Sequence, residues 1–425
     1  MTVRRWQRGV ARLRDVAGMA SVRSSAPSAG RRAEIPDLVG GPSVRHDHAL
    51  DANPSVVVLM PHLSVGKMTG GPNTVFQITE RLAARGIGVR YVACFGPVDP
   101  DVSGLQHHMQ ELTGVVRPMA PRFEDRSGPD AELAVGRHDV MLATWWPTAH
   151  IADRARGATD IGTFIYLIQD FEPAFHPWST KYALAASTYR MPFRAIVNEP
   201  TLLEHLRLHR DLQSDAHDPE WAISFMPAVD RLVFRPRDLR PGPRRIVFYA
   251  RPKHARNLFE LGLRALEQAV QRGAFDDGDW ELSAIGGETR AWALPGRHVL
   301  KPVPRLAYRD YAAYLSESDI LLSLMLSPHT SYPPLEMATA GGLVVTNTFS
   351  TKTAEALAAI SPAIRGVPPD ADSLAAAIAQ AAKDVSLVRP TPHPTTLPGS
   401  WDESLGLVVS WLETTIASFR EGSNR

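Results

Sequence analysis

The feature that most constrains this chain is a unit met twice: a short apolar run, a loop, an amphipathic segment and a second apolar run. The first copy opens at SVVVLMP (55–61), rich in β-branched residues and bounded by proline on both sides. A run of that length reads as a strand buried on both faces. The loop HLSVGKMTGGPN follows, then TVFQITERLAARG, whose apolar positions recur at helical spacing and which stops at Gly86. VRYVACF is the next strand. Strand, glycine-bearing loop, helix and strand in this order predict a parallel sheet, because parallel neighbours need a crossover. DVMLATW (139–145), GTFIYLIQD (162–170) and FRAIVNE (193–199) extend it.

The second series opens at RRIVFYARPKHARNLFELGLRALEQAV. Strands are expected near 280–285, 297–301, 319–324 and 342–346, with helices near 306–316, 333–340, 351–359 and 370–383. A length of 425 residues suits two domains. The Pro- and Arg-dense stretch 235–244 reads as their linker. The expected fold is α/β, with two Rossmann-like domains whose parallel sheets face a central cleft and bind ligands at the carboxyl ends of the strands. The expected boundaries are a basic leader at 1–47, a first domain at 48–235, a second at 236–398, and a terminal helix at 399–425 that could pack back on the first domain.

A net charge of +1 argues against nucleic acid as the main partner. Cys94 is the single cysteine, so no internal disulfide forms and a reducing compartment such as the cytoplasm is acceptable. No run is long and apolar enough to span a bilayer, and the N-terminus lacks the apolar stretch of a secretory signal. The first 32 residues carry eight arginines against Asp15 alone. As a helix they would set Trp6, Val10, Leu13 and Ala17 on one face, suited to an anionic membrane surface. The alternative is a basic leader without fixed structure, in keeping with SSAPSAGRR.

The stretch SPHTSYPPLEMATAGGLVVTNT (327–348) carries the most specific chemistry. A strand runs into a loop and then a helix that starts at Pro333 or Pro334, with Glu336 exposed in its first turn. A helix start of this kind attracts a diphosphate, and a carboxylate can accept from both hydroxyls of a ribose. Glu336 could equally do no more than complement the helix dipole. Upstream, FYARPKHARNLFELG places Arg251 and Arg256 at a strand-to-helix junction, where phosphate sites form.

SYPPLEMATAGG (331–342) resembles the donor-binding loop of family 4 glycosyltransferases, and more closely that of rhamnosyltransferases from bacterial surface-polysaccharide assembly. The resemblance spans roughly 55–412 and implies the GT-B architecture. It implies that Arg251, Arg256 and Lys301 face the donor diphosphate, that Tyr332 and Pro333 belong to the donor loop, and that Glu336 holds the ribose. Gly70 and Gly71 resemble the family's flexible glycine loop. One departure stands out: Pro328 occupies the position of the first glutamate of the family's two-glutamate motif. The resemblance further implies retention of configuration, with dTDP-L-rhamnose as preferred donor; UDP- and GDP-sugars stay open.

In YLIQDFEPAFHPWSTKYALAASTYRMPFRAIVNE, Asp170 and Glu172 follow a strand with Phe171, Phe175 and Trp178 interleaved. Acids that bond hydroxyls beside aromatic faces suit sugar recognition, and the resemblance assigns the segment to the acceptor side; Phe171 and Trp178 could equally form a hydrophobic plug under a loop capped by acids. Trp145 and Trp146 close the preceding strand, and one of the two is expected in the core. Trp146 and His62 complete the acceptor-side candidates, although a lone histidine at a strand end is more often structural. No metal motif such as HExxH or CxxC occurs, so no metal or other cofactor is expected beyond the nucleotide sugar. The expected activity is sugar transfer to a glycan or lipid-linked glycan. The alternatives are a silent nucleotide-sugar-binding subunit and a sugar-nucleotide epimerase.

Overall fold

The computed structural model describes residues 37–68, 70–208, 220–236, 242–287, 290–387 and 394–422. Val39–Arg425 forms one compact unit. Residues 1–36 of the expected leader and 237–241 of the Pro/Arg-rich linker lie outside the described residues, and the end of the leader, Ser43–His46, is a strand.

Strands β1 (Ser43–His46) and β5 (Glu132–Val135) form a small parallel pair. The first large sheet contains β2 (Ser55–Met60), β3 (Gly88–Ala93), β4 (Arg122–Asp125), β6 (Val140–Ala143), β7 (Phe164–Ile168), β8 (Phe193–Asn198) and β9 (Ala222–Phe225). Its order is β4-β3-β2-β6-β7-β8-β9, parallel throughout. The second contains β10 (Arg244–Tyr249), β11 (Trp280–Ile285), β12 (Trp292–Ala293), β13 (Val299–Pro302), β14 (Ile320–Leu322), β15 (Leu343–Asn347) and β16 (Ile364–Val367). Its order is β12-β13-β11-β10-β14-β15-β16, and the two-residue edge strand β12 runs antiparallel.

The apolar run 55–60 is buried at every position because helices cover both faces of its sheet. Val56, Val58 and Met60 enter one core layer, while Val57 and Leu59 enter the layer on the opposite face. The helix Trp401–Gly422 adds Leu405, Val408, Val409, Leu412 and Ile416 to the first of these layers. Arg81 fixes its start by an ion pair from Nε to Asp402 at 2.7 Å.

Strand order reverses beside β2 in one sheet and beside β10 in the other. Such switch points open a crevice at the carboxyl ends of the strands. The loops after β2, β6, β7 and β8 meet there on one side, and those after β10, β14 and β15 on the other. Among the described residues, four non-glycine residues have positive φ: Glu199 (77°), Leu258 (50°), Ser331 (78°) and Ser350 (49°). Each follows a strand at this end of its sheet, so the backbone strain is concentrated where ligands bind in such folds.

Two local expectations are corrected. Gly70 and Gly71 open the helix Gly70–Ala84 rather than lie in a free loop, since the helix begins four residues before Thr74. The helix of the SYPPLE segment runs Tyr332–Thr339, after Ser331 at φ 78°. That start puts Glu336 in the second turn instead of the first.

Candidate functional site

The second domain holds the candidate donor side. Arg251 follows β10, half-buried, with Nη2 2.8 Å from His254 Nε2. Arg256 sits in a 3-10 turn, Ala255–Asn257, ahead of the helix Phe259–Gln271. Its guanidinium lies over the Phe175 ring at 4.1 Å, and its Nε is buried without a hydrogen-bond partner, 3.7 Å from Asp170 Oδ2. Lys301 is exposed on β13, one strand further from the switch point than β11. Glu336 is not an exposed acid: Tyr311 donates its hydroxyl to Oε2 at 2.7 Å, and burial pushes the carboxyl up to about 7. Pro333 is buried at the second position of its helix.

The glycines and Tyr332 meet across the domains. A Cβ on Gly70 would stand 3.2 Å from the Tyr332 ring, so a side chain here would have to push the ring back by a few tenths of an ångström. The Tyr332 hydroxyl lies 2.6 Å from Thr74 Oγ1. Gly71 faces Gln169 at 3.6 Å by the same measure.

Both first-domain acids are more enclosed than an acceptor role requires. Asp170 is 7% exposed and turns toward the other domain, where Ser327 donates its hydroxyl to Oδ1. Glu172 is 4% exposed, accepts from the Tyr166 hydroxyl at 2.9 Å, and is pushed up to about 8 by burial. It presents no open carboxylate to a sugar, because the 3-10 turn Glu172–Phe175 directs it inward onto Tyr166. Trp146 begins the helix Trp146–Ala155 and is 4% exposed, so it is the core member of the tryptophan pair; Trp145 is half-buried. Strand alternation does not apply to either, since β6 ends at Ala143. His62 is half-buried, and burial together with Lys67 lowers its pKa. Trp178 is 95% exposed and stacks on Tyr182 at 6.2 Å.

The segment Leu324–Tyr332 gathers residues that patterning did not single out. Glu199 accepts the Thr330 N–H at 2.9 Å, and its Oε1 lies 3.3 Å from His329 Nε2. Lys352 is fully buried and donates to Met325 O at 2.7 Å; burial lowers its ammonium to about 8, against the opposing pull of Glu199 and Asp170. In sequence Glu199 ends a strand-like run, and its one local signal is the proline that follows, which bars it from helix. Lys352 has no such signal. Among the described residues, one three-donor group could hold a metal ion, namely His46, His48 and Asp51 beside the small β1–β5 pair, outside both large sheets.

Two parallel-sheet domains of this order, with their polar loops facing at the switch points, define the class of GT-B glycosyltransferases. Within it, residues 56–198 match the WsaF N-terminal domain and residues 244–379 the WsaF C-terminal domain, in that order. The O-antigen biosynthesis protein RfbC of Myxococcus xanthus is 39% identical over 210 residues, 49% of this chain and 15% of that protein, so the chain spans a small part of its relative's length. Sucrose-phosphate synthase from Thermosynechococcus elongatus superposes with a TM-score of 0.52 at 13% identity, covering 90% of this chain and 99% of that one. Anabaena HepE in complex with UDP-glucose gives 0.50 at 12%, covering 87% and 98%. At these identities the two structures share the fold with this chain.

Proposed function

We propose that this protein transfers a sugar from a nucleoside diphosphate sugar to a glycan or lipid-linked glycan in surface-polysaccharide assembly, with dTDP-L-rhamnose as preferred donor and retention of configuration. The observation that carries the reading is the placement of Arg251, Arg256 and the Tyr311-bonded Glu336 on segments that follow strands β10 and β14, with Arg256 reaching Asp170 and Phe175 of the other domain. The RfbC likeness supports the assembly context, and the HepE complex supports a nucleotide-sugar donor on this fold. Arg251 and Arg256 stabilise the diphosphate as it leaves, and Lys301 adds charge from the neighbouring strand. No metal is required for that neutralisation. Glu336 fixes the ribose. The exposed Trp178–Tyr182 stack offers an apolar face to an acceptor ring, in place of Trp146. The protein acts in the cytoplasm, its basic leader holding it against the anionic inner face of the membrane.

Charge on the leaving diphosphate grows as the glycosidic bond breaks, so the arginines act more on turnover than on donor affinity. A thermal-shift panel of nucleotide sugars identifies the donor, and steady-state kinetics with it test the site. Arg251→Ala lowers kcat by about a hundredfold. Arg256→Ala acts in the same direction, and the double variant falls short of additivity because both face one partner. Unchanged kcat in both single variants would move the diphosphate elsewhere. A parent that binds a nucleotide sugar without hydrolysing or transferring it would favour a silent binding subunit.

A further inference from the structure

With proline at 328, the start of the donor loop has no acidic side chain of its own. The fold brings a carboxylate to that place from the other domain. Glu199 follows β8 at φ 77°, 1% exposed, in a backbone conformation that a non-glycine residue adopts only where its surroundings enforce it. Its Oε2 is held by the Thr330 N–H at 2.9 Å, two residues beyond Pro328. Its Oε1 and the neighbouring His329 Nε2, 3.3 Å away, complete no hydrogen bond. Asn198 Oδ1 and Thr330 Oγ1 are buried and unpartnered in the same way.

Nearly all buried polar atoms in native interiors are paired; here Glu199 Oε1 and His329 Nε2 have only each other, at 3.3 Å, and Asn198 Oδ1 and Thr330 Oγ1, on the residues next to them in the two segments, have no partner, so the junction is a place for a further polar group. The set mixes both kinds of partner. Carboxylate and amide oxygens accept. His329 Nε2 carries the ring proton, because Nδ1 accepts from the Ser331 N–H at 3.0 Å. A sugar hydroxyl both donates and accepts, which matches the mixture; an anion would be repelled by Glu199.

We propose that Glu199 is a specificity-determining residue that supplies, across the domain junction, the carboxylate that meets a hydroxyl of the transferred sugar. This rests on the glycosyltransferase reading above. The subsite is complete only when the first domain lies against the donor loop, which makes recognition of the sugar conditional on domain closure.

Glu199→Gln keeps the size of the side chain and an oxygen for the Thr330 N–H while removing the charge. Calorimetric titration with UDP, dTDP and GDP, each free and as UDP-glucose, dTDP-L-rhamnose and GDP-mannose, separates nucleotide from sugar. The variant should bind the free diphosphate as the parent does and lose about ten- to a hundredfold in affinity for the nucleotide sugar that the parent selects. Glu199→Asp should recover part of that loss and Glu199→Ala none. Parent-like affinity of the Gln variant for the nucleotide sugar overturns the proposal, as does a parallel loss of free-diphosphate binding, which would mark a purely structural role. A parent that binds none of the six ligands refutes the transferase reading itself, and the proposal with it.

Discussion

Tyr311 changes what Glu336 is. In sequence the residue is an acid near a helix start; in the fold its carboxyl accepts from a phenol and is enclosed, and burial pushes it up to about 7 against the lowering effect of that hydrogen bond. That value lies above the ordinary carboxylate range near 4.3, so the folded state holds the proton more tightly than the unfolded chain. The stabilising contribution is therefore complete below about pH 4.3 and is lost as pH rises through about 7. Glu336→Gln keeps an acceptor for Tyr311 and removes the titration. Denaturant unfolding should show the variant gaining on the parent between pH 5 and pH 8, by on the order of 1–3 kcal/mol, while its nucleotide affinity falls. The same gap at both pH values would contradict a buried, proton-holding carboxyl. The enclosure was not legible in SYPPLE because Tyr311 comes from another helix, 25 residues away.

At the scale of elements, the β10 unit shows how closely the donor side is packed. Phe248 on β10 is fully buried and stacks on Phe259 at 5.7 Å, and the helix Phe259–Gln271 presses Gly262 against the same ring. A Cβ there would lie 2.3 Å from the Phe248 ring, which cannot yield without displacing the helix that carries the arginine loop. Gly262→Ala should cost about 1–3 kcal/mol despite its better helix propensity. Calorimetry showing an unchanged or raised melting temperature would deny the tight contact. The strand–helix alternation of this unit was readable from periodicity alone. Its boundaries were less so: the 3-10 turn at Ala255–Asn257 and the αL residue Leu258 delay the helix, and neither leaves a hydrophobic pattern.

At the scale of the whole molecule, no described helix is long and apolar enough to cross a membrane. The attraction to lipid proposed for this chain rests on its arginine-rich residues 1–36, outside the described part. Deleting them should leave transfer to a water-soluble acceptor unchanged and reduce co-sedimentation with anionic vesicles at low salt. Unchanged sedimentation would assign membrane attraction elsewhere. The sequence by itself determined the α/β class and the parallel sheets, because buried strands and amphipathic helices write their periods along the chain, whereas the strand orders that place the switch points came only with the fold. It also marked Arg251, Arg256 and Glu336 as candidates, by their positions after strands or on a helix. Only the tertiary structure decided which side chains face whom. Asp170 turns to Ser327, Glu172 and Trp146 sink into the first domain, and Glu199 crosses to Thr330. Those partners lie up to 157 residues apart, and which of them meet is set by how two finished sheets pack rather than by any local pattern.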